Sequence, residues 1–151
     1  MSAHFHAGVI LYRNGEPDMA MGHLSHPASD SHEAEWRGLE PYGFDRSLFV
    51  HLQHMIGSNS QPDEVESLIE RAIANLDETA ERARTPPRET LEFLLNVAER
   101  EYETAVVQGE IVDEKIYQDV AGYLMVAEHW ANRLPGASDR SLTDDLEQLV
   151  A

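Results

Sequence analysis

Histidines and acidic residues are concentrated near the start of the chain, in a pattern that could bind a metal ion. The segment MGHLSHPASDSHEAEW, residues 21–36, contains three histidines and two glutamates. Seven of the eight histidines lie in the first 55 residues, many more than an even scatter would place there. This concentration is the strongest local sign of a function in the sequence.

The spacing of these residues favours a shared metal ion. His23 and His26 are three positions apart on a predicted short helix, so both point to one face. Imidazole and carboxylate groups together suit Fe²⁺, Zn²⁺ or Cu²⁺. We therefore predict a site for one of these transition metals, with His23 and His26 as the main ligands and His6 and Glu33 next. The substitute ligands, which lie in the same segments, are His4, His32 and Glu35.

The alternative interpretation of the same residues is a solvated polar edge, since histidine pairs at helical spacing often have no ligand. A real site would lose affinity below about pH 6, where histidine takes up a proton.

No phosphate loop, nucleophile elbow or catalytic triad spacing occurs, so the sequence gives an enzyme no support and no catalytic residue is assigned. A hydrolase that activates metal-bound water is a third hypothesis, and it needs a vacant coordination position.

The elements that must position these residues are helices. Breakers rich in glycine and proline cut the chain into pieces whose apolar residues recur every three or four positions. The three long pieces are residues 62–84, 87–108 and 113–134. Their predicted apolar stripes include, in that order, Val65, Leu68 and Ile69; Leu91, Leu94, Ala98 and Tyr102; and Tyr117 and Val120. Shorter helices are predicted at 44–56 and at 140–150. A helical hairpin precedes them, with its turn at Asn14-Gly15 and its second helix ended by Pro27. Because short links favour antiparallel neighbours, we predict one all-α domain over residues 1–151, with a short N-terminal helical hairpin packed on an up-down bundle of three long helices.

Composition limits the partners. The chain has 151 residues, 28 acidic against 11 basic, and a net charge of −17. A surface this negative repels nucleic acids and anionic lipids but attracts cations and basic proteins. There is no cysteine, which excludes disulfides and thiolate metal ligands. No segment approaches the ~20 apolar residues of a membrane-spanning helix, so membrane insertion is not expected.

The compartment and the oligomeric state stay open. The N-terminal residues MSAHFHAGVI lack the basic start and long apolar core of a secretory signal. A periplasmic location would require a signal that has been removed, and a cytoplasmic location is the alternative. Acidic helical bundles pair readily, so a homodimer is compatible with the sequence.

One resemblance concerns residues 4–27. The residues that carry it are Gly8, Tyr12, Gly15, Ala20 and Pro27. Their layout resembles one tetratricopeptide hairpin, in which small residues let two helices approach closely. One repeat cannot bury its own apolar face, so a solenoid is not expected. The resemblance implies an alternative function, an interaction module that binds a basic or helical partner through an acidic groove and has no metal role.

A second resemblance covers residues 91–136 and, more weakly, residues 20–40. The residues that carry it are Tyr102, Ala105, Val106, Gly109, Val112, Tyr117 and Asp119. The segment resembles the helical extracytoplasmic region of bacterial iron-permease-like and imelysin-like iron-uptake proteins. The Arg-Glu-x-x-Glu motif of the permeases and the Gly-x-His-x-x-Glu pattern of imelysins do not occur here. The resemblance therefore implies a role in iron or other transition-metal uptake or handling, and not transport or peptidase activity. A small, soluble metal-binding protein is our leading hypothesis.

Overall fold

The structure is a computed structural model that describes residues 1–58 and 60–134. Contacts between residues divide the chain into two compact units: an N-terminal unit, Met1–Thr85, and a second unit that begins at Pro86. Apart from one short β-hairpin, the regular elements of the described residues are helices, which confirms the all-α prediction. The helix predicted at 140–150 lies outside the described residues. Within the described ranges, no helix combines the length and the apolar content that crossing a membrane requires.

The N-terminal unit begins with the predicted helical hairpin. Helix α1 (Ser2–Arg13) and helix α2 (Pro17–Leu24) pack against each other across a tight turn. Gly15 occupies this turn with a φ of 83°, a conformation that favours glycine. The prediction carried α2 on to Pro27, but α2 ends at Leu24. A proline disfavours helical geometry in the residue before it, and the chain here changes to a tighter 3₁₀ turn.

Short helical segments follow α2. Two 3₁₀ turns, His26–Ala28 and Asp30–His32, lead into α3 (Glu33–Leu39). A third 3₁₀ turn, Glu40–Tyr42, comes before the next helix. Helix α4 (Arg46–Gly57) and helix α5 (Pro62–Arg82) then complete the unit, within a few residues of the bounds predicted for them. Pro62 stands at the start of α5, where its missing N–H costs nothing.

An apolar core holds the N-terminal unit together. Phe49 is fully buried, and its ring lies edge-on to Phe5, with 5.2 Å between centroids, and stacks on Phe44 at 5.0 Å. Further fully buried large side chains include Val9, Leu24, Leu52, Val65 and Ile69. These residues come from α1, α2, α4 and α5, so the core fixes the positions of the elements that carry the candidate ligands.

The second unit is built on two helices and a β-hairpin. Helix α6 (Pro87–Ala105) packs against helix α7 (Glu114–Ala131). Strands β1 (Val106–Val107) and β2 (Glu110–Ile111) pair antiparallel between them. The first helix was predicted to continue to residue 108, but it ends at Ala105. Two β-branched valines follow it, and Gln108 and Gly109 both adopt positive φ, as a two-residue hairpin turn requires.

The apolar stripes of α6 and α7 are only partly as predicted. Leu91, Leu94 and Ala98 are buried as expected on α6, but Tyr102 is 49 % exposed. On α7, Val120 is buried and Tyr117 is 40 % exposed. Since α5 belongs to the N-terminal unit and α6 and α7 to the second, the packing of all three in one bundle stays a prediction.

Candidate metal centre

Four histidines from separate segments of the N-terminal unit lie close together. A ring nitrogen of His4, on α1, is within 4.8 Å of a ring nitrogen of His23, at the end of α2. The ring of His26 stacks on that of His4, with centroids 4.1 Å apart and planes at 27°. The same ring lies 3.8 Å from the ring of His32 at 34°. We call His4, His23, His26 and His32 the histidine cluster.

A carboxylate borders the histidine cluster. Nδ1 of His32 lies 3.0 Å from Oε1 of Glu35, three positions further along the chain. With the proton on Nδ1, His32 donates this hydrogen bond and its Nε2 carries the free lone pair. The bond lowers the pKa of Glu35, and desolvation partly opposes the effect. A carboxylate that orients a histidine in this way is the usual support for a metal-ligating imidazole.

His26, in the middle of the cluster, is a much weaker base than an ordinary histidine. Burial, followed by positive charge on His4 and His32, lowers its pKa from 6.5 to about 4. The chain's amino terminus acts in the same direction, and Glu35 acts against it. His26 is therefore neutral at physiological pH, the protonation state that a metal ligand needs.

A close approach between α1 and α2 brings His4 near His23. A Cβ atom on Gly8 would lie 2.7 Å from Cγ of Leu24 and 2.9 Å from the Leu24 backbone nitrogen. Only glycine fits at such a contact without displacing the neighbouring backbone. His4 lies about one helical turn before Gly8, so the same contact holds it beside the residues that flank Leu24.

Arg46 and Trp36 hold the loop that carries His26 and His32. The guanidinium of Arg46 donates from Nε and Nη2 to the Ala28 carbonyl oxygen, at 3.0 and 2.7 Å, and from Nη2 to Asp30 Oδ1 at 2.8 Å. It also lies over the buried Trp36 ring, 4.8 Å from its centroid. Trp36 Nε1 donates to the Ser29 carbonyl oxygen at 3.3 Å. These bonds fix the backbone between the two histidines, and we call Arg46 and Trp36 the loop clamp.

The start of α4 is fixed in turn by α5. The Asp45 backbone N–H donates to Asn75 Oδ1 at 2.9 Å, and Asn75 Nδ2 donates to the Gly43 carbonyl oxygen at 2.8 Å. The Asp45 carboxylate caps α4 by accepting from the Ser47 backbone N–H at 3.0 Å. Arg46 follows immediately, so these bonds set the position from which its side chain reaches the loop.

Five of the seven predicted ligands come together, and two lie elsewhere. His6 is two positions from His4, so it faces another side of α1, and its Nδ1 is 2.9 Å from the Ser2 carbonyl oxygen. Glu33 is two positions from Glu35 and accepts a 2.6 Å hydrogen bond from Arg37 Nε at the surface. Both had been ranked above residues that the structure places in or beside the cluster.

Sequence reasoning underrated His4 and His32. The signal for His4 was the small residue Gly8, which marks where α1 can touch α2 and so which positions lie opposite each other. Nothing comparable marks His32 or the loop clamp, because 3₁₀ turns have no long periodic pattern.

Searches of family models, curated proteins and solved structures give no match to the chain. The resemblances to iron-uptake and tetratricopeptide proteins therefore stay predictions.

Proposed function

We propose that the protein binds a divalent transition-metal ion through the histidine cluster, with Glu35 as the supporting carboxylate. The observation that carries the proposal is the proximity of His4 and His23, whose ring nitrogens lie within 4.8 Å. Two imidazoles on a tetrahedral Zn²⁺, each about 2.0–2.1 Å from the ion, have nitrogens about 3.3 Å apart. A small approach of the two side chains would give that spacing.

The proposal assigns different parts to the four histidines. His4 and His23 form the primary pair. The rings of His26 and His32 lie against each other, with centroids 3.8 Å apart and planes tilted by 34°, so the two rings are not arranged around one position. A rotation of His26 about its side-chain bonds would turn its nitrogen toward an ion held by the primary pair. Its low pKa supports this part, because no proton has to be displaced first.

The ligand chemistry sets the class of metal. Imidazole and carboxylate groups suit Zn²⁺, Cu²⁺ and Fe²⁺, whereas Ca²⁺ and Mg²⁺ prefer sites made of oxygen atoms. The proposed role is metal binding in uptake or handling, in line with the resemblance of residues 91–136 to iron-uptake proteins. No step of chemical catalysis is part of the proposal.

The test is calorimetric titration of the metal-stripped protein with Zn²⁺, Cu²⁺ and anaerobic Fe²⁺. Measurements at about pH 7.5 and about pH 5.5 stand on either side of the ordinary histidine pKa of about 6.5. We expect one ion per chain with micromolar or tighter affinity at the higher pH for at least one metal, and loss of binding at the lower pH.

A matched pair of variants assigns the site. His4→Gln with His23→Gln removes the primary pair, and His51→Gln with His54→Gln removes an exposed pair on α4. The first variant should weaken binding by about 100-fold or more, since even supporting residues of metal sites are worth about 10–100-fold. The second should leave affinity unchanged. Equal losses in both variants, or none in the first, would show that the assignment is wrong.

A further inference from the structure

An exposed apolar surface lies where α6 and α7 are joined. Large apolar side chains at this connection are 40 to 60 % exposed, among them Tyr102, Val107, Val112 and Tyr117. We call these four residues the hairpin patch. Single exposed apolar residues are ordinary, but a group of them at one place marks an interaction surface.

Hydrogen bonds give the hairpin patch a defined shape. Val107 pairs with Glu110 in the β-hairpin, and the Val112 backbone N–H donates to the Ala105 carbonyl oxygen at 2.8 Å. Because alternate residues of a strand share a face, Val107 and Val112 lie on the same side of the hairpin, whereas Ile111, which pairs with Val106, lies on the other side. The flanking helices add two aromatic rings, Tyr102 and Tyr117, with centroids 6.4 Å apart. The surface is therefore formed before any partner arrives.

The charges around the hairpin patch indicate what it would bind. Residues 99–117 carry six acidic side chains against two basic ones. A second copy of the chain would bring two such rims together, and each whole chain carries a net charge of −17. The sequence of residues 136–151, with four acids and one base, has the same sign. Electrostatic complementarity thus favours a partner with basic groups around an apolar centre.

We propose that the hairpin patch binds a basic amphipathic helix of a partner protein. Apolar side chains on one face of that helix would contact the tyrosines and valines, and flanking lysines or arginines would lie against the acidic rim. Helix-in-groove recognition of this kind uses anchors at helical spacing. The hairpin patch shares no residue with the histidine cluster, and none of the observations behind this inference involves metal binding.

The probe is a synthetic helical peptide of leucine and lysine whose leucines all lie on one face, labelled for fluorescence anisotropy. A scrambled peptide of the same composition keeps the charge but spreads the leucines around the helix. The metal-stripped protein should bind the amphipathic peptide with micromolar affinity and the scrambled peptide about tenfold more weakly, because only the first presents an apolar face.

Two double variants test the place of binding without changing charge. Tyr102→Ser with Val112→Ser removes two members of the hairpin patch. Phe93→Ser with Val50→Ser removes another exposed aromatic residue and another exposed valine, both outside the hairpin patch. Phe93 is nine positions from Tyr102, on the opposite face of α6 and about 14 Å along its axis. The patch variant should bind the amphipathic peptide about tenfold more weakly, and the control variant should bind as the wild type does.

Glu110→Lys tests the contribution of the acidic charge and leaves the apolar residues intact. This variant should bind the peptide more weakly, and its binding should depend less on salt concentration. Several outcomes would overturn the proposal. Equal binding of both peptides would mean attraction by charge alone, and equal losses in both double variants would mean that the patch is not the site. A dimer in sedimentation equilibrium that the patch variant abolishes would make a second copy of the chain the occupant.

Discussion

The α1–α2 hairpin and the α6–α7 hairpin differ in the kind of side chain that each one gathers. Small residues at the α1–α2 contact let the helices approach closely, and polar imidazole rings gather at one end of the pair. The α6–α7 connection does the reverse, because its β-hairpin exposes apolar side chains to water. One hairpin thus encloses polar groups, and the other exposes apolar ones.

Both features go against ordinary folding preferences. Crowding histidines together reduces their solvation and lowers the pKa of His26, while exposing valine and tyrosine forgoes burial that would add stability. Natural sequences depart from local rules of this kind mainly at functional sites. The comparison therefore assigns different partners to the two hairpins: a cation for the first and a basic amphipathic helix for the second.

The most direct way to break the first hairpin is Gly8→Val. The added side chain would have to displace the backbone of Leu24, which a Cβ atom would already approach to 2.9 Å. We expect the free energy of unfolding to fall by about 3 kcal/mol, at the upper end of the usual cost of overpacking. Urea denaturation followed by circular dichroism measures the loss. Since α1 and α2 would move apart, metal affinity should fall as well.

Gly22→Val, on the neighbouring helix α2, is the matched control. Among the described residues, and apart from its chain neighbours and the backbone of its own helix, no atom lies within 4 Å of a Cβ atom at Gly22. Valine is a slightly better helix former than glycine, so this variant should be neutral or up to about 0.5 kcal/mol more stable. If the two variants unfold at the same urea concentration, the close contact at Gly8 does not support the hairpin.

The contrast between the hairpins also shows what sequence can predict. The apolar stripe of α5 and the short helices were predicted because their patterns are local: Val65, Leu68 and Ile69 are buried as expected. The end of α6 was missed because valine occurs in helices and strands alike, and the positive φ of Gln108 is not typical of glutamine. Most residues of the candidate site were named from the sequence, but which of them lie next to each other was not. Which histidines meet depends on the close helix contact and on the loop clamp, and only the glycine of that contact leaves a sign in the sequence.

Arg46→Ala should loosen the loop between His26 and His32. It removes two hydrogen bonds to the Ala28 carbonyl oxygen and leaves that backbone acceptor without its charged donor. Loss of bonds from a charged donor predicts a decrease of about 2 kcal/mol in the free energy of unfolding. Metal affinity should fall in the same variant, because the loop would no longer hold His26 and His32 at a fixed distance from each other.

Arg37→Ala is its control. Arg37 also lies over the Trp36 ring, 5.3 Å from its centroid, but within the described part of the chain its ion pair is with the exposed Glu33. Surface ion pairs are worth little, so a loss of no more than about 0.5 kcal/mol is expected. Calorimetric melting of both proteins separates the two roles. A loss with Arg37→Ala as large as with Arg46→Ala would mean that stacking on Trp36, and not the bonds to the loop, supports the site.

His26 should make the stability of the N-terminal unit depend on pH. Its pKa is about 4 in the folded protein and 6.5 as the ordinary value, so the unfolded chain takes up a proton first as the pH falls. Its contribution is therefore fully present above about pH 6.5 and is lost progressively down to about pH 4. Because His26 is half-buried, solvent screening reduces the size of the effect. Urea denaturation at several pH values should show a shallower loss for His26→Gln than for the wild type.

His54→Gln removes an exposed histidine of the same unit and should keep the wild-type pH profile. Glu35 titrates in a lower range: its pKa is lowered by the hydrogen bond from His32, so its contribution is lost only as the pH falls below about 4.5. A profile for His26→Gln that matches the wild type between pH 6.5 and pH 4 would contradict the stacked arrangement.

The smallest expected effect concerns the turn of the second hairpin. Gln108 adopts a φ of 55° and Gly109 a φ of 83°, whereas the turn between α1 and α2 places a glycine, Gly15, at its positive φ. Asparagine tolerates this conformation better than glutamine does, and Asn-Gly is the preferred pair for such a turn. Gln108→Asn should therefore raise the free energy of unfolding by about 0.5 kcal/mol, and Gly109→Ala should lower it by about 1 kcal/mol. Thermal denaturation measures both changes. The hairpin patch depends on the register of β1 and β2, so Gly109→Ala should also weaken binding of the leucine–lysine peptide, whereas Gln108→Asn should leave it unchanged. If the two variants change stability in opposite directions but bind the peptide equally well, the conformation of the turn does not determine binding at the patch.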